Sequence, residues 1–180
     1  MSTTSDPAVK KSAGYCVVAA GVPCIAGVAP ASGGVGTAVT ITGLNLAGAT
    51  ALTFHGTAAA ILTNTATQIT TKVPAGATTG TLTVTTGGGT ATSPGAFTVV
   101  PAPTVTSFSP TSGPVGTTVT ITGTNLTGAT ALKFHGTAAT ILTDTATQIT
   151  AKVPAGATTG TITVTTAGGT GTSATSFTVT

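Results

Sequence analysis

The sequence predicts an all-β chain of two tandem β-sandwiches behind a short N-terminal extension, and three observations carry that prediction. Thr, Val, Gly and Ala dominate the 180 residues while charge is almost absent; β-branched side chains fit a pleated sheet, and frequent Gly and Pro break helices. No window shows helical amphipathicity. The chain also matches itself at an offset of about 80 residues, so that the fifty residues starting at Thr37 align without a gap on those starting at Thr117. Within each copy, apolar residues alternate with threonines, as in Thr118-Val119-Thr120-Ile121-Thr122, the period of a half-buried strand.

In the second copy this alternation predicts strands near 104–109, 117–123, 130–135, 138–143, 147–153, 160–166 and 175–180. They are separated by Ser112-Gly113, Gly123, Gly136, Pro154-Ala155-Gly156 and Ala167-Gly168-Gly169. Seven short strands in so few residues make a two-sheet sandwich. The inward set is Val105, Phe108, Val119, Ile121, Leu126, Leu132, Phe134, Ile141, Ile149, Val153, Ile162, Val164, Phe177 and Val179, with the equivalents eighty positions earlier. The first copy starts at Pro23 and the second at Pro103. Val100-Pro101-Ala102-Pro103 reads as a semi-rigid linker that sets the units end to end. The expected organisation is therefore an extension over 1–22, a first repeat over 23–100 and a second over 101–180.

Pro103-Thr-Val-Thr-Ser-Phe-Ser-Pro110-Thr-Ser-Gly113-Pro-Val-Gly116, then Thr-Val-Thr-Ile-Thr-Gly123-Thr-Asn125-Leu126 and later Ile149-Thr-Ala-Lys-Val-Pro154, resembles the IPT/TIG family of immunoglobulin-like domains. The first copy repeats the pattern through Pro30, Gly33, Gly43 and Pro74, with Cys24-Ile25-Ala26-Gly27 as a looser opening strand. The resemblance implies two tandem immunoglobulin-like β-sandwiches. It implies settings as varied as bacterial surface proteins, adhesins, phage structural proteins, receptor ectodomains and transcription factors, and it brings no catalytic residues.

The ionisable groups are Lys10, Lys11, Lys72, Lys133, Lys152, Asp6, Asp144, His55 and His135. Scattered lysines make no phosphate-neutralising patch, and most of the phenylalanines belong to the core, so nucleic acid is not an expected partner. His55 and His135 stand alone at strand ends, which makes no metal set, so neither metal nor cofactor is expected. Asp144 follows the strand after His135 and could pair with it. The first copy has Asn64 there, which rules out a shared dyad, and no activated nucleophile is defined. Gly87-Gly88-Gly89 lacks the lysine and the strand-to-helix setting of a phosphate loop and reads as a hairpin turn. The chain is therefore not expected to be an enzyme. The uncharged run 12–31 is too rich in Gly and Pro for a membrane span. It also makes a poor export signal, because cleavage after Ala31 would remove a strand.

The extension has no counterpart in the second copy. Tyr15, Val17 and Val18 lie in a stretch of strand character with apolar side chains that need cover, which marks them as an assembly segment that adds a strand to a neighbour's sheet. Cys16 and Cys24, the only cysteines, leave three states open: a disulfide within the chain, a bridge between chains, or two thiols. The leading expectation is a non-catalytic structural subunit that forms a homo-oligomer or polymer through the extension. It would serve in a bacteriophage virion, as head decoration or tail protein, or in a bacterial extracellular filament. The alternative is a cell-surface adhesion or ligand-binding stalk. Carbohydrate is a conceivable ligand of the Thr-rich faces, though good strands are Thr-rich without any ligand.

Overall fold

A computed structural model describes Cys16 and residues 18–180. The chain divides into two compact units, Met1–Val99 and Val100–Thr180.

Alternation of apolar residues and threonine sets the strands of the first unit. They are β1 (Cys24–Ala29), β2 (Ser32–Gly33), β3 (Ala38–Leu44), β4 (Ala51–Phe54), β5 (Thr57–Ala58), β6 (Ile61–Asn64), β7 (Gln68–Lys72), β8 (Gly80–Thr86) and β9 (Gly89–Val99). One sheet runs β1-β3-β7-β6 and the other β2-β9-β8-β4-β5. The second unit repeats this with β10 (Thr104–Ser109), β11 (Ser112–Gly113), β12 (Thr118–Thr124), β13 (Ala131–Phe134), β14 (Thr137–Ala139), β15 (Ile141–Asp144), β16 (Gln148–Lys152), β17 (Gly160–Thr166) and β18 (Gly169–Val179). Its sheets run β10-β12-β16-β15 and β11-β18-β17-β13-β14. The described fold is all-β, as the alternation predicts.

Each unit has its own core. In the second, the expected inward residues are buried apart from Ile141 and Val179, which pack against the core from its edge, and Ala151 and Ala157 join them. All five phenylalanines are buried. Among the described residues, every strand pairing is antiparallel except one per unit: β2 beside β9 (Ser32↔Thr98, Gly33↔Val99) and β11 beside β18 (Ser112↔Thr178, Gly113↔Val179) are parallel.

The strand expectations need correction in several places. Ser112-Gly113, expected to separate strands, forms β11 by pairing with Thr178 and Val179, and Gly123, expected likewise, lies inside β12 opposite Val105. The last strand starts at Gly169, not 175, because a tight turn lets Thr170 pair with Thr165 and Gly171 with Val164; the glycines there look like a loop in sequence but sit in the ladder. The run 138–143 splits into β14 and β15, which belong to different sheets. Residues 18–22 form no strand: Ala20 and Gly21 make a turn, with the Val22 amide donating to the Ala19 carbonyl at 3.2 Å and Gly21 at φ 83°. Tyr15 and Val17 lie outside the described residues.

Candidate functional site

The histidines occupy matching places and do matching things. Each follows the last residue of a strand, Phe54 or Phe134, and turns the chain with a positive φ, 45° at His55 and 44° at His135. His55 Nδ1 lies 3.0 Å from Thr78 Oγ1, and His135 Nδ1 lies 2.8 Å from Thr158 Oγ1. The imidazoles lie over Gly80 and Gly160, where a β-carbon would strike the ring. That arrangement closes a turn, and the histidines' neighbours are threonine and glycine.

Asp144 does not meet His135. Its Oδ2 accepts from the Ala129 amide at 2.9 Å, tying the β12–β13 loop to β15. Asn64, its twin, makes that bond from Ala49 at 3.1 Å and adds a second, with Nδ2 donating to the Leu46 carbonyl at 2.7 Å. A carboxylate has no proton to give that carbonyl. Asn64→Asp is expected to cost the first repeat about 1 kcal/mol, with the second repeat unchanged, as read by urea unfolding followed separately in each repeat by methyl NMR.

The start of the described chain is clamped onto the first unit. Cys16 and Cys24 form a disulfide with their Cα atoms 6.0 Å apart. Asn45, at φ 55°, donates from Nδ2 to the Val22 carbonyl at 2.8 Å. Beside the disulfide, a groove of about 610 Å³ is lined by Cys16, Ala26, Thr42, Gly43, Leu44, Thr65, Thr67 and Gln68. The second repeat has Thr106 and Thr124 where the groove has Ala26 and Leu44, so the first repeat is the more apolar on this face. Leu44 is 42% exposed there. Val18 is half-buried.

Among the described residues, no three of His, Cys, Asp and Glu come together as a metal set, and no helix is long and apolar enough to cross a membrane. The model of the IPT/TIG domain matches the sequence twice, over 23–99 and 103–179. The chain belongs to the IPT/TIG family. No curated protein matches its sequence. Among solved structures, the full extracellular region of plexin A4, domains 1 to 10, is similar with a TM-score of 0.52 at 22% identity, over 88% of this chain and 15% of that one. SGBP-B from a complex xyloglucan utilization locus in Bacteroides uniformis gives 0.41 at 23% identity, over 87% and 49%. A surface glycan-binding protein from Prevotella bryantii gives 0.43 at 22% identity, over 89% and 43%. The chain thus spans a small part of the plexin ectodomain and less than half of each glycan-binding protein. These likenesses are of fold.

Both TIG repeats carry threonine ladders on their outer faces. Thr53 and Thr83 hydroxyls lie 2.6 Å apart, Thr63 and Thr70 2.7 Å, Thr143 and Thr150 2.6 Å, and Thr165 and Thr170 2.9 Å. The hydroxyls pair across strands, which ties up part of their capacity to bind anything else. Two TIG scaffold residues are hard to single out from sequence. Buried Ser93 and Ser173 accept from the Leu82 and Ile162 amides at 3.0 and 2.9 Å, and donate to the Gly95 and Thr175 carbonyls at 2.6 and 2.7 Å, bridging an irregular stretch of the final strand. Their only cue is a serine at an inward position, which needs a partner when buried.

Proposed function

We propose that the chain is a non-catalytic stalk module of a surface protein, working outside the reducing cytoplasm and holding a binding or attachment segment away from its anchor. The observation that carries this reading is the strand pairing at the two ends of each repeat. The short strand near the entry, β2 or β11, lies parallel to the final strand, β9 or β18. The Thr98 amide donates to the Ala31 carbonyl and the Thr178 amide to the Thr111 carbonyl, both at 3.0 Å. A pull on the ends of a repeat shears parallel neighbours, so their bonds share the force and do not open one by one. Short loops, nearly the same in both copies, suit a spacer better than a recognition surface. The Cys16–Cys24 bond supports an oxidising compartment. A surface setting also fits the extracellular and glycan-binding proteins that share the fold, though their ligands do not carry over.

Assembly through the N-terminal segment, in a virion or a filament, is the competing reading. Light scattering of the chain, oxidised and reduced, with and without residues 1–22, separates the two. The stalk gives the mass of one chain under every condition. A large species that falls apart on deleting 1–22 would replace the stalk with a polymer subunit.

A further inference from the structure

Each repeat is entered through a segment that it grips in the same way. Pro23 and Pro103 stand at matching positions and are both buried. Just ahead of them, Asn45 Nδ2 donates to the Val22 carbonyl at 2.8 Å and Asn125 Nδ2 to the Ala102 carbonyl at 3.1 Å. Both asparagines hold φ at 55°, a left-handed backbone that Asn accepts more readily than most residues. One residue further back, the Gly21 carbonyl lies against Gly88 and the Pro101 carbonyl against Gly168, so closely that a β-carbon on either glycine would strike the oxygen. The gripped residues are Gly21-Val22 in one repeat and Pro101-Ala102 in the other, which share no side chain. What is held is therefore main chain. One asparagine amide, one bare glycine of the hairpin before β9 or β18, and one buried proline hold it.

We propose that this grip is an entry latch, which makes residues 101–103 a fixed part of the second repeat and leaves Val100 as the one joint in the connection. On the other side of Val100, the Val99 amide donates to Thr79 Oγ1 at 3.0 Å, so the first repeat holds β9 to its last residue. Val100 is β-branched and precedes proline, which confines it to extended backbone. The connection is then a single stiff residue and not a four-residue linker. The first repeat backs its latch with a second fastening, the Cys16–Cys24 disulfide. The second repeat has Ala96 and Thr104 at those positions and needs no such bond, because the chain ahead of its latch is already fastened as β9. The latch stands whether or not the chain is a stalk.

The test is amide NMR of the full chain, oxidised, read at Ala102. Its 15N order parameter is expected near 0.85, about that of rigid backbone, and its residual dipolar coupling fits the alignment of the second repeat, while that of Val99 fits the first. Asn125→Gly keeps the positive φ without steric cost and removes the donor. In that variant the Ala102 order parameter falls toward about 0.6 and its coupling shrinks, while the amides of β17 stay as they are. If Asn125→Gly does not fold, Asn125→Asp keeps size and shape but has no proton to give the carbonyl, and it loosens Ala102 in the same direction. In the first repeat, Asn45→Gly loosens Val22 in the same way once a dithiol has reduced the disulfide. An Ala102 that is mobile in the unaltered chain, that fits the first repeat's alignment and not the second's, or that stays rigid in the folded variant overturns the latch.

Discussion

Phe177→Ala removes about 3–5 kcal/mol from the second repeat, a large share of the 5–15 kcal/mol that holds an ordinary domain. The ring is 1% exposed and touches two others, Phe134 at 5.3 Å and Phe108 at 6.2 Å. Its loss therefore forfeits transfer free energy, leaves a cavity between well-packed sheets and breaks two aromatic pairs. Phe97→Ala in the first repeat breaks one aromatic pair where Phe177→Ala breaks two, so its cost lies nearer the lower end. Urea unfolding of each variant, followed by methyl NMR in both repeats, checks the magnitude and the order. Equal costs would mean that Phe108 adds nothing to the packing around Phe177.

Gly123→Ala is expected to cost about 3 kcal/mol or more, because a methyl group there meets the Thr104 carbonyl oxygen, which is backbone. Gly123 pairs with Val105 just before β10 bulges between Val105 and Ser107, and the strands approach too closely at this point for any side chain. Gly43 stands in the same relation to the Cys24 carbonyl. Relief would require parting β10 from β12, which holds Phe108 opposite Ile121. Gly128→Ala provides the contrast: a β-carbon there has open space, so its cost comes from φ 75° alone and is the smaller of the two. Thermal unfolding of the two variants, read by circular dichroism, ranks them.

Much of this architecture is legible in the sequence because threonine and aliphatic residues alternate so strictly. Val119, Ile121, Ile162 and Val164 declare their inward face by period alone. Gly169 and Gly171 do not, because in sequence a glycine in a strand looks like one in a loop; the hairpin register places them in β18. The clamp of Asn45 on the Val22 carbonyl joins residues 23 apart, and no local pattern announces it. The expectation of an assembly segment rests on Tyr15 and Val17, which lie outside the described residues, and on Val18, which lies just past the disulfide at Cys16.

The stalk reading is tested most directly by pulling single molecules from the two ends. The account predicts two separate unfolding events of similar size, each releasing the roughly 250–280 Å contour of one matched repeat, at about 3.3–3.6 Å per residue, less the distance its ends already span when folded. Thr178→Pro removes the amide that donates to the Thr111 carbonyl, and it should lower the force of one event while leaving the other in place. A single combined event, or two events whose forces ignore that substitution, would contradict a stalk held by its parallel end strands.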